Sequence, residues 1–303
     1  MSKIAKGTIL TLVAGIAWGL SGTSGQYLMA HGFPVLVLTN VRLLIAGALL
    51  VLYMVLANRR KLIEMIKDRK AIMSLALFAL LGLLLNQFAY LKSIYESNAG
   101  TATVLQYVCP VGILAYTCIK DRVAPTVTEV LSMILAAGGT FLIATHGQLN
   151  QLSVTPAGLF WGLFAAFTYA LYILIPIQLI KTWGSIPVIG VGMMFAGLVL
   201  IPFSGILHFH WRLSMEVYLA LAGIILVGTI LAYTLFLKGT SLVGPVKSSL
   251  LAAVEPISAV FFAFLIMHEQ FYLVDFAGMF MILSAVFLIS IKDLILEKRK
   301  GIL

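Results

Sequence analysis

What most constrains this chain is the recurrence of apolar runs about 20 residues long, split by short polar or charged breaks. Ten are legible, at 8–29, 35–57, 71–91, 99–119, 126–145, 157–180, 186–207, 217–237, 246–266 and 272–291. A run of this length, wound as a helix, crosses a hydrocarbon core of about 30 Å. Lipid offers backbone groups no hydrogen-bond partners, so only helices and closed barrels cross it. These runs lack the strict alternation of barrel strands and read as helices. The breaks carry turn or charge signals: His31-Gly32-Phe33-Pro34, the basic stretch 58–70, Lys120-Asp121-Arg122, Gln148-Leu149-Asn150-Gln151 and His268-Glu269-Gln270. Composition agrees, at 61% hydrophobic and 10% charged residues where soluble domains average about 45–50% and 25%. That excludes an ordinary soluble enzyme, a disordered chain and a coiled coil. At roughly 25–30 residues per span and loop, the 303 residues hold ten or eleven spans and no separate soluble domain.

The net charge of +9 does not point to nucleic acid, because of where the charges fall. With the N-terminus inside, seventeen basic residues lie in cytoplasmic segments, among them Asn58-Arg59-Arg60-Lys61 and Lys298-Arg299-Lys300. Lys92 and Arg212 fall outside, and Arg42 falls within a span. This positive-inside bias puts both termini in the cytoplasm, which requires an even number of spans and supports ten. Anionic lipid headgroups are the expected neighbours of the basic clusters. Lys3 and Lys6 precede a run too long for a cleaved leader, so the first span is expected to be retained. Cys109 and Cys118, about 13 Å apart on one helix, are too far apart for a disulfide and read as packing residues. His31, His146, His208, His210 and His268 all fall near the outer face. His208 and His210 alone are a weak metal signal, and no metal site is expected.

The two halves resemble each other. Gly7 and Gly158 open spans 1 and 6, and at the same offset Trp18 matches Tyr169. Pro34 and Pro187 open spans 2 and 7. Further along, Lys92 matches Lys238, Pro110 matches Pro256, Glu129 matches Asp275, and Phe141-Leu142-Ile143 matches Phe287-Leu288-Ile289. An ordered series at a nearly constant offset reads as duplication, with one half at residues 1–150 and the other at 151–303. Each half holds an odd number of spans, so the second enters the membrane in the opposite sense. The expected fold is therefore an all-α membrane protein of ten transmembrane helices, arranged as two inverted five-helix repeats. Secondary transporters often follow this plan, with the substrate site at the midplane between the repeats.

These residues resemble those of the drug/metabolite transporter superfamily, in its EamA-domain branch, over essentially the whole chain. The resemblance rests on Ala17-Trp18-Gly19, Arg42, Pro110, Glu255-Pro256 and the short acidic turns after spans 4 and 9. The family often carries a Gly-Glu-Arg-like turn, where this chain has Lys120-Asp121-Arg122 and His268-Glu269-Gln270. The resemblance implies a two-times-five helix fold and transport of small organic solutes, often amino acids or related metabolites, commonly outward.

Arg42 and Glu255 lie deep within spans 2 and 9, where ionisable groups are costly and are functional candidates by default. The functional reading gives Arg42 to a substrate carboxylate and Glu255 to an ammonium group or a transported proton. The structural alternative pairs them with each other or with backbone at the kinks. Asn86, Gln87 and Tyr90 on span 3, and Gln106 and Tyr107 on span 4, are candidate cavity residues. So are the repeat-related pairs Trp18 with Tyr169 and Gln87 with Tyr233. Their amides need partners away from lipid, and their rings offer stacking or cation–π surfaces. Trp161 and Tyr172 read equally as packing or interfacial anchors. Pro110 and Pro256 are expected to kink spans 4 and 9, and Gly15, Gly19 and Gly22 form a small-residue stripe on span 1. That stripe allows either close helix approach or room for substrate beside Trp18.

The expected function is a secondary transporter of a small organic metabolite in the cytoplasmic membrane, an exporter working by alternating access, with a proton as candidate coupling ion. No cofactor is expected, since the chain has no P-loop. The alternatives are a channel-like facilitator and an intramembrane enzyme, and the chain lacks His-Glu-x-x-His and Gly-x-Ser-x-Gly signatures for the latter.

Overall fold

The computed structural model describes residues 2–97, 99–145, 147–148, 155–210, 214–267 and 272–299. His146, Arg212 and the His268-Glu269-Gln270 turn lie outside them. The described residues form helices throughout, with no strand among them. Eight helical segments are long and apolar enough to cross a membrane, and two shorter apolar helices complete the set. In chain order these are α1 (Lys3–Ala30), α2 (Val35–Lys67), α3 (Arg69–Glu96), α4 (Ala102–Asp121), α5 (Val127–Ile143), α6 (Pro156–Trp183), α7 (Ser185–Ser204), α8 (Met215–Val243), α9 (Pro245–Ile266) and α10 (Leu273–Leu288).

Local sequence sets the helix ends. The Ser2 hydroxyl accepts from the Ala5 amide at the start of α1, and Thr155 accepts from Gly158 before Pro156 at the start of α6. Such caps satisfy amide donors that a first helical turn leaves open. Glu129 and Asp275, matched in sequence, do the same work in both halves. Glu129 takes the Thr126 amide at 2.8 Å and Asp275 takes the Tyr272 amide at 2.8 Å. The clearest departures from the sequence reading concern charged residues. Helix α2 runs through most of the basic stretch, with one non-helical residue at Asn58. Lys and Arg are good helix formers, so a charged segment can continue the helix past the lipid. Lys247, placed at the inner face by its charge, is only 8% exposed.

The prolines interrupt their helices more sharply than simple kinks would. In α4 a turn at Tyr107 and Val108 ends one helical stretch, and a second starts at Cys109 with Pro110 in its first turn. In α9 the break falls at Ala252 and Ala253, before Glu255-Pro256. A first-turn proline forfeits no internal helix hydrogen bond, so a break placed there is the low-cost way to carry it. The halves share a second irregularity. Residues Phe78–Leu84 of α3 and Gly223–Leu231 of α8 are wound as π-helix, which is rare and concentrates at functional sites.

Small residues let the helices pack closely. A methyl added at Gly15 would lie 2.7 Å from Val254 Cγ1, and one at Gly19 would lie 2.5 Å from Ser258 Cβ. These two glycines therefore serve the α1–α9 contact, whereas Gly22 faces the Tyr90 hydroxyl at 3.4 Å. Helices α2 and α7 meet through Gly47, Gly190 and Gly197, and α5 meets α10 through Gly139 and Gly278. Interfaces of this kind depend on van der Waals approach, because lipid tails are as apolar as the side chains. At Gly139 the neighbour is the Gly278 carbonyl, which cannot rotate away. Gly139→Leu is expected to separate α5 from α10 at a cost of about 1–3 kcal/mol, read as a lower thermal midpoint in detergent; an unchanged midpoint would refute the tight contact.

Candidate functional site

The irregular stretches of α3, α4, α8 and α9 turn their polar residues toward α1, α2 and α6. Trp18, Ser21, Arg42, Asn86, Gln87, Tyr90, Gln106, Tyr169, Tyr233 and Glu255 line one central chamber. Nine of these were singled out in the sequence. The tenth such residue, Tyr107, lines a smaller adjoining space with Gln106, Pro110, Tyr169, Ser249 and Glu255. The chamber measures about 30 Å³. One water needs roughly 10–15 Å³, so the space is an occluded pocket with no room for a solute in this arrangement.

Arg42 is 3% exposed and donates from Nε to Thr229 Oγ1 at 3.2 Å and from Nη2 to Ser21 Oγ at 3.3 Å. Thr229 is held by its own bond to the Ile224 carbonyl at 2.6 Å, inside the π-helical stretch of α8. Glu255 is 8% exposed and accepts from the Tyr90 hydroxyl at 3.3 Å. That hydroxyl also lies 3.2 Å from Thr103 Oγ1. The ion pairs among the described residues include Arg60 with Glu64 and Lys92 with Glu96, and none joins Arg42 to Glu255. Arg42 and Glu255 therefore do not neutralise each other. Each buried charge rests on neutral hydroxyls, an expensive arrangement without a countercharge.

Around these two groups lie buried polar atoms with no hydrogen-bond partner: Trp18 Nε1, Asn86 Oδ1, both amide atoms of Gln87, and the Tyr107 and Tyr169 hydroxyls. Buried polar atoms are normally paired, so a cluster of open ones calls for an explanation. Both donors and acceptors are present. One wall is aromatic. Trp18 meets Tyr169, Tyr172 and Tyr233 edge-on at centroid distances of 5.9, 6.3 and 5.4 Å, and Phe236 lies at 4.7 Å. Tyr172 is fully buried in this cluster, and its hydroxyl also has no partner, while Trp161 packs edge-on against Phe88. Cys109 and Cys118 are free thiols.

Sequence reasoning missed Ser21, Thr103 and Thr229. Ser21 stands one turn beyond Trp18, which is a usable signal. Nothing in the sequence marks Thr229, because its role depends on α8 crossing α2 at Arg42.

A polytopic bundle whose charged and amide side chains converge on an enclosed central chamber is the build of a membrane transporter. Comparison with known proteins makes the class specific. The sequence profile of the EamA-like transporter family matches residues 5–145 and 156–291, and the chain belongs to that family. It is 38% identical over 292 residues to the uncharacterized inner membrane transporter YicL of Salmonella typhimurium, covering 96% of this chain and 97% of that protein. It is 24% identical over 298 residues to the uncharacterized transporter YetK of Bacillus subtilis, covering 96% and 88%. A crystal structure with TM-score 0.74 and 15% identity, covering 97% of this chain and 99% of its own, shares the fold. The protein is thus a multi-pass transporter of the cytoplasmic membrane, with two EamA repeats.

Thr229→Val removes an acceptor from a buried guanidinium while keeping the shape. It is expected to cost about 1–3 kcal/mol, measured as a drop in thermal midpoint that Thr229→Ser largely restores. An unchanged midpoint in Thr229→Val would show that the contact carries no load.

Proposed function

We propose that this protein is a secondary carrier for a small organic metabolite bearing both charge signs, an amino acid or related compound. The observation that carries the reading is the unpaired state of Arg42 and Glu255 in one occluded chamber. A zwitterion supplies each with its missing counterpart, a carboxylate for the guanidinium and an ammonium for the carboxylate. The open atoms of Trp18, Asn86, Gln87, Tyr107 and Tyr169 then bond to the substrate's remaining polar groups. Gln106 and Tyr90 complete the wall, and the Trp18 and Tyr233 faces offer a cation–π surface for the ammonium end.

The halves, 1–150 and 151–303, act as inverted repeats that exchange conformations and open the chamber to each face in turn. Both termini lie in the cytoplasm, in keeping with the basic residues of the inner segments. The carrier works outward, and Glu255 carries a proton when the ammonium is absent. The enclosed chamber favours a carrier over a channel-like facilitator, which needs a continuous path.

The test is flux in proteoliposomes, with substrates first found by thermal shift against amino acids and amines. Glu255→Gln is expected to remove the pH dependence of transport while protein stays in the membrane. Arg42→Ala is expected to weaken substrate binding by tenfold or more, in line with about 1.5–3 kcal/mol for a charged hydrogen bond. Unchanged pH dependence in the first, or unchanged affinity in the second, would overturn the assigned role.

A further inference from the structure

The two repeats treat one pair of related contacts differently. Helix α1 meets α9 where Val254 and Ser258 press onto Gly15 and Gly19. The repeat counterparts of those four residues are Val108, Gly112, Ala166 and Ala170. All four line a groove of about 580 Å³ between α4 and α6. Where a methyl on Gly19 would collide with α9, a methyl on Gly112 would meet nothing within 4 Å. The surfaces are small enough to close on each other, as at α1–α9, yet they stand apart.

The groove lies between two membrane spans, so its surroundings are acyl chains. Apart from the Cys109 thiol and the Tyr116 hydroxyl its lining side chains are hydrocarbon, with Phe167 and Val108 exposed at the rim. Its volume falls in the range of small-molecule sites, roughly 300–1,000 Å³. Charge marks one end. Tyr116 lines the groove, and the Lys120 ammonium lies 5.6 Å from its ring. Arg122 follows as the left-handed cap that ends α4, with Asp121 between them. On the other wall the helix breaks at Ile175 and Pro176, and the stretch beyond, Ile177–Trp183, packs on α3, α7 and α8. Two cations, Lys120 and Arg122, and one carboxylate leave this end positive, where a phospholipid headgroup would sit.

We propose that the α4–α6 groove is a binding site for an anionic phospholipid. One acyl chain lies against Gly112, Ala166 and Ala170, and the phosphate meets Lys120 and Arg122. The chain supplies the packing that Val254 and Ser258 supply at α1–α9. This site is separate from the central chamber, whose lining includes neither Gly112 nor Ala170.

The experiment uses the full protein in nanodiscs, with Cys109→Ala and Cys118→Ser as background. A fluorophore is placed at Gly112→Cys, at Ala170→Cys should the first variant fold poorly, and at Leu198→Cys as a lipid-facing control. Leu198 is 54% exposed on α7. Quenching is titrated with chain-nitroxide phosphatidylglycerol, with chain-nitroxide phosphatidylcholine and with aqueous iodide. At the groove position the glycerol lipid is expected to reach half-quenching at a roughly tenfold lower mole fraction than the choline lipid. The combined variant Lys120→Gln, Arg122→Gln should abolish that preference, and Leu198→Cys should show none. Equal quenching by the two lipids, no quenching by either, or dominant quenching by iodide would overturn the site; the last would make the groove an aqueous vestibule.

Discussion

The hydrocarbon core gives a backbone amide or carbonyl nothing to bond to, and the rest of this structure follows from that constraint. It forces nearly every described residue into helix. It also makes each departure from regular winding conspicuous. The departures within the described spans are few: proline-linked breaks in α4, α6 and α9, one non-helical residue in α2, and π-helical stretches in α3 and α8. Four of them adjoin residues of the central chamber: those in α3, α8 and α9 precede Asn86, Tyr233 and Glu255, and the break in α4 follows Gln106. Irregular backbone at membrane depth is tolerated where protein buries it or where it lines a cavity. The breaks therefore mark the chamber as clearly as its polar side chains do.

The same absence of water governs the side chains. Arg42 and Glu255 could have been stabilised by pairing with each other, and instead each is held by hydroxyls: Ser21 and Thr229 for the guanidinium, Tyr90 for the carboxylate. Neutral donors and acceptors keep a charge in position without cancelling it. The open Asn86 Oδ1 and the unpaired amide of Gln87 add to a site that is polar and incomplete. Such incompleteness costs stability and is the form expected of a binding site whose last partner is the substrate.

Much of this was legible in the sequence. The apolar runs have the length of the membrane core, so spans could be placed before any contact was known. The repeat was visible because acids and prolines do local work that recurs: Glu129 and Asp275 cap matching helices, and Pro110 and Pro256 sit at matching breaks. Deep charges and amides stood out because lipid makes them expensive. What could not be read depends on which helices touch. Thr229 gains its meaning only where α8 crosses Arg42, and Ser21 only where α1 meets α2. The open α4–α6 contact was equally hidden, since Gly112 and Ala170 look no different in sequence from the small residues packed tightly at α1–α9. The π-helical winding also left no mark, because Phe78–Leu84 and Gly223–Leu231 are apolar runs like those around them.

The central claim is that one chamber, closed in this arrangement, is the place where substrate waits between the two faces of the membrane. It is tested most directly by a single cysteine at Gln106 in a background free of Cys109 and Cys118, in sealed proteoliposomes of known orientation. A membrane-impermeant maleimide is supplied to one face and then, separately, to the other. The account predicts slow labelling from each face, suppressed from both by a transported substrate. Labelling confined to one face, or left untouched by substrate, would contradict it.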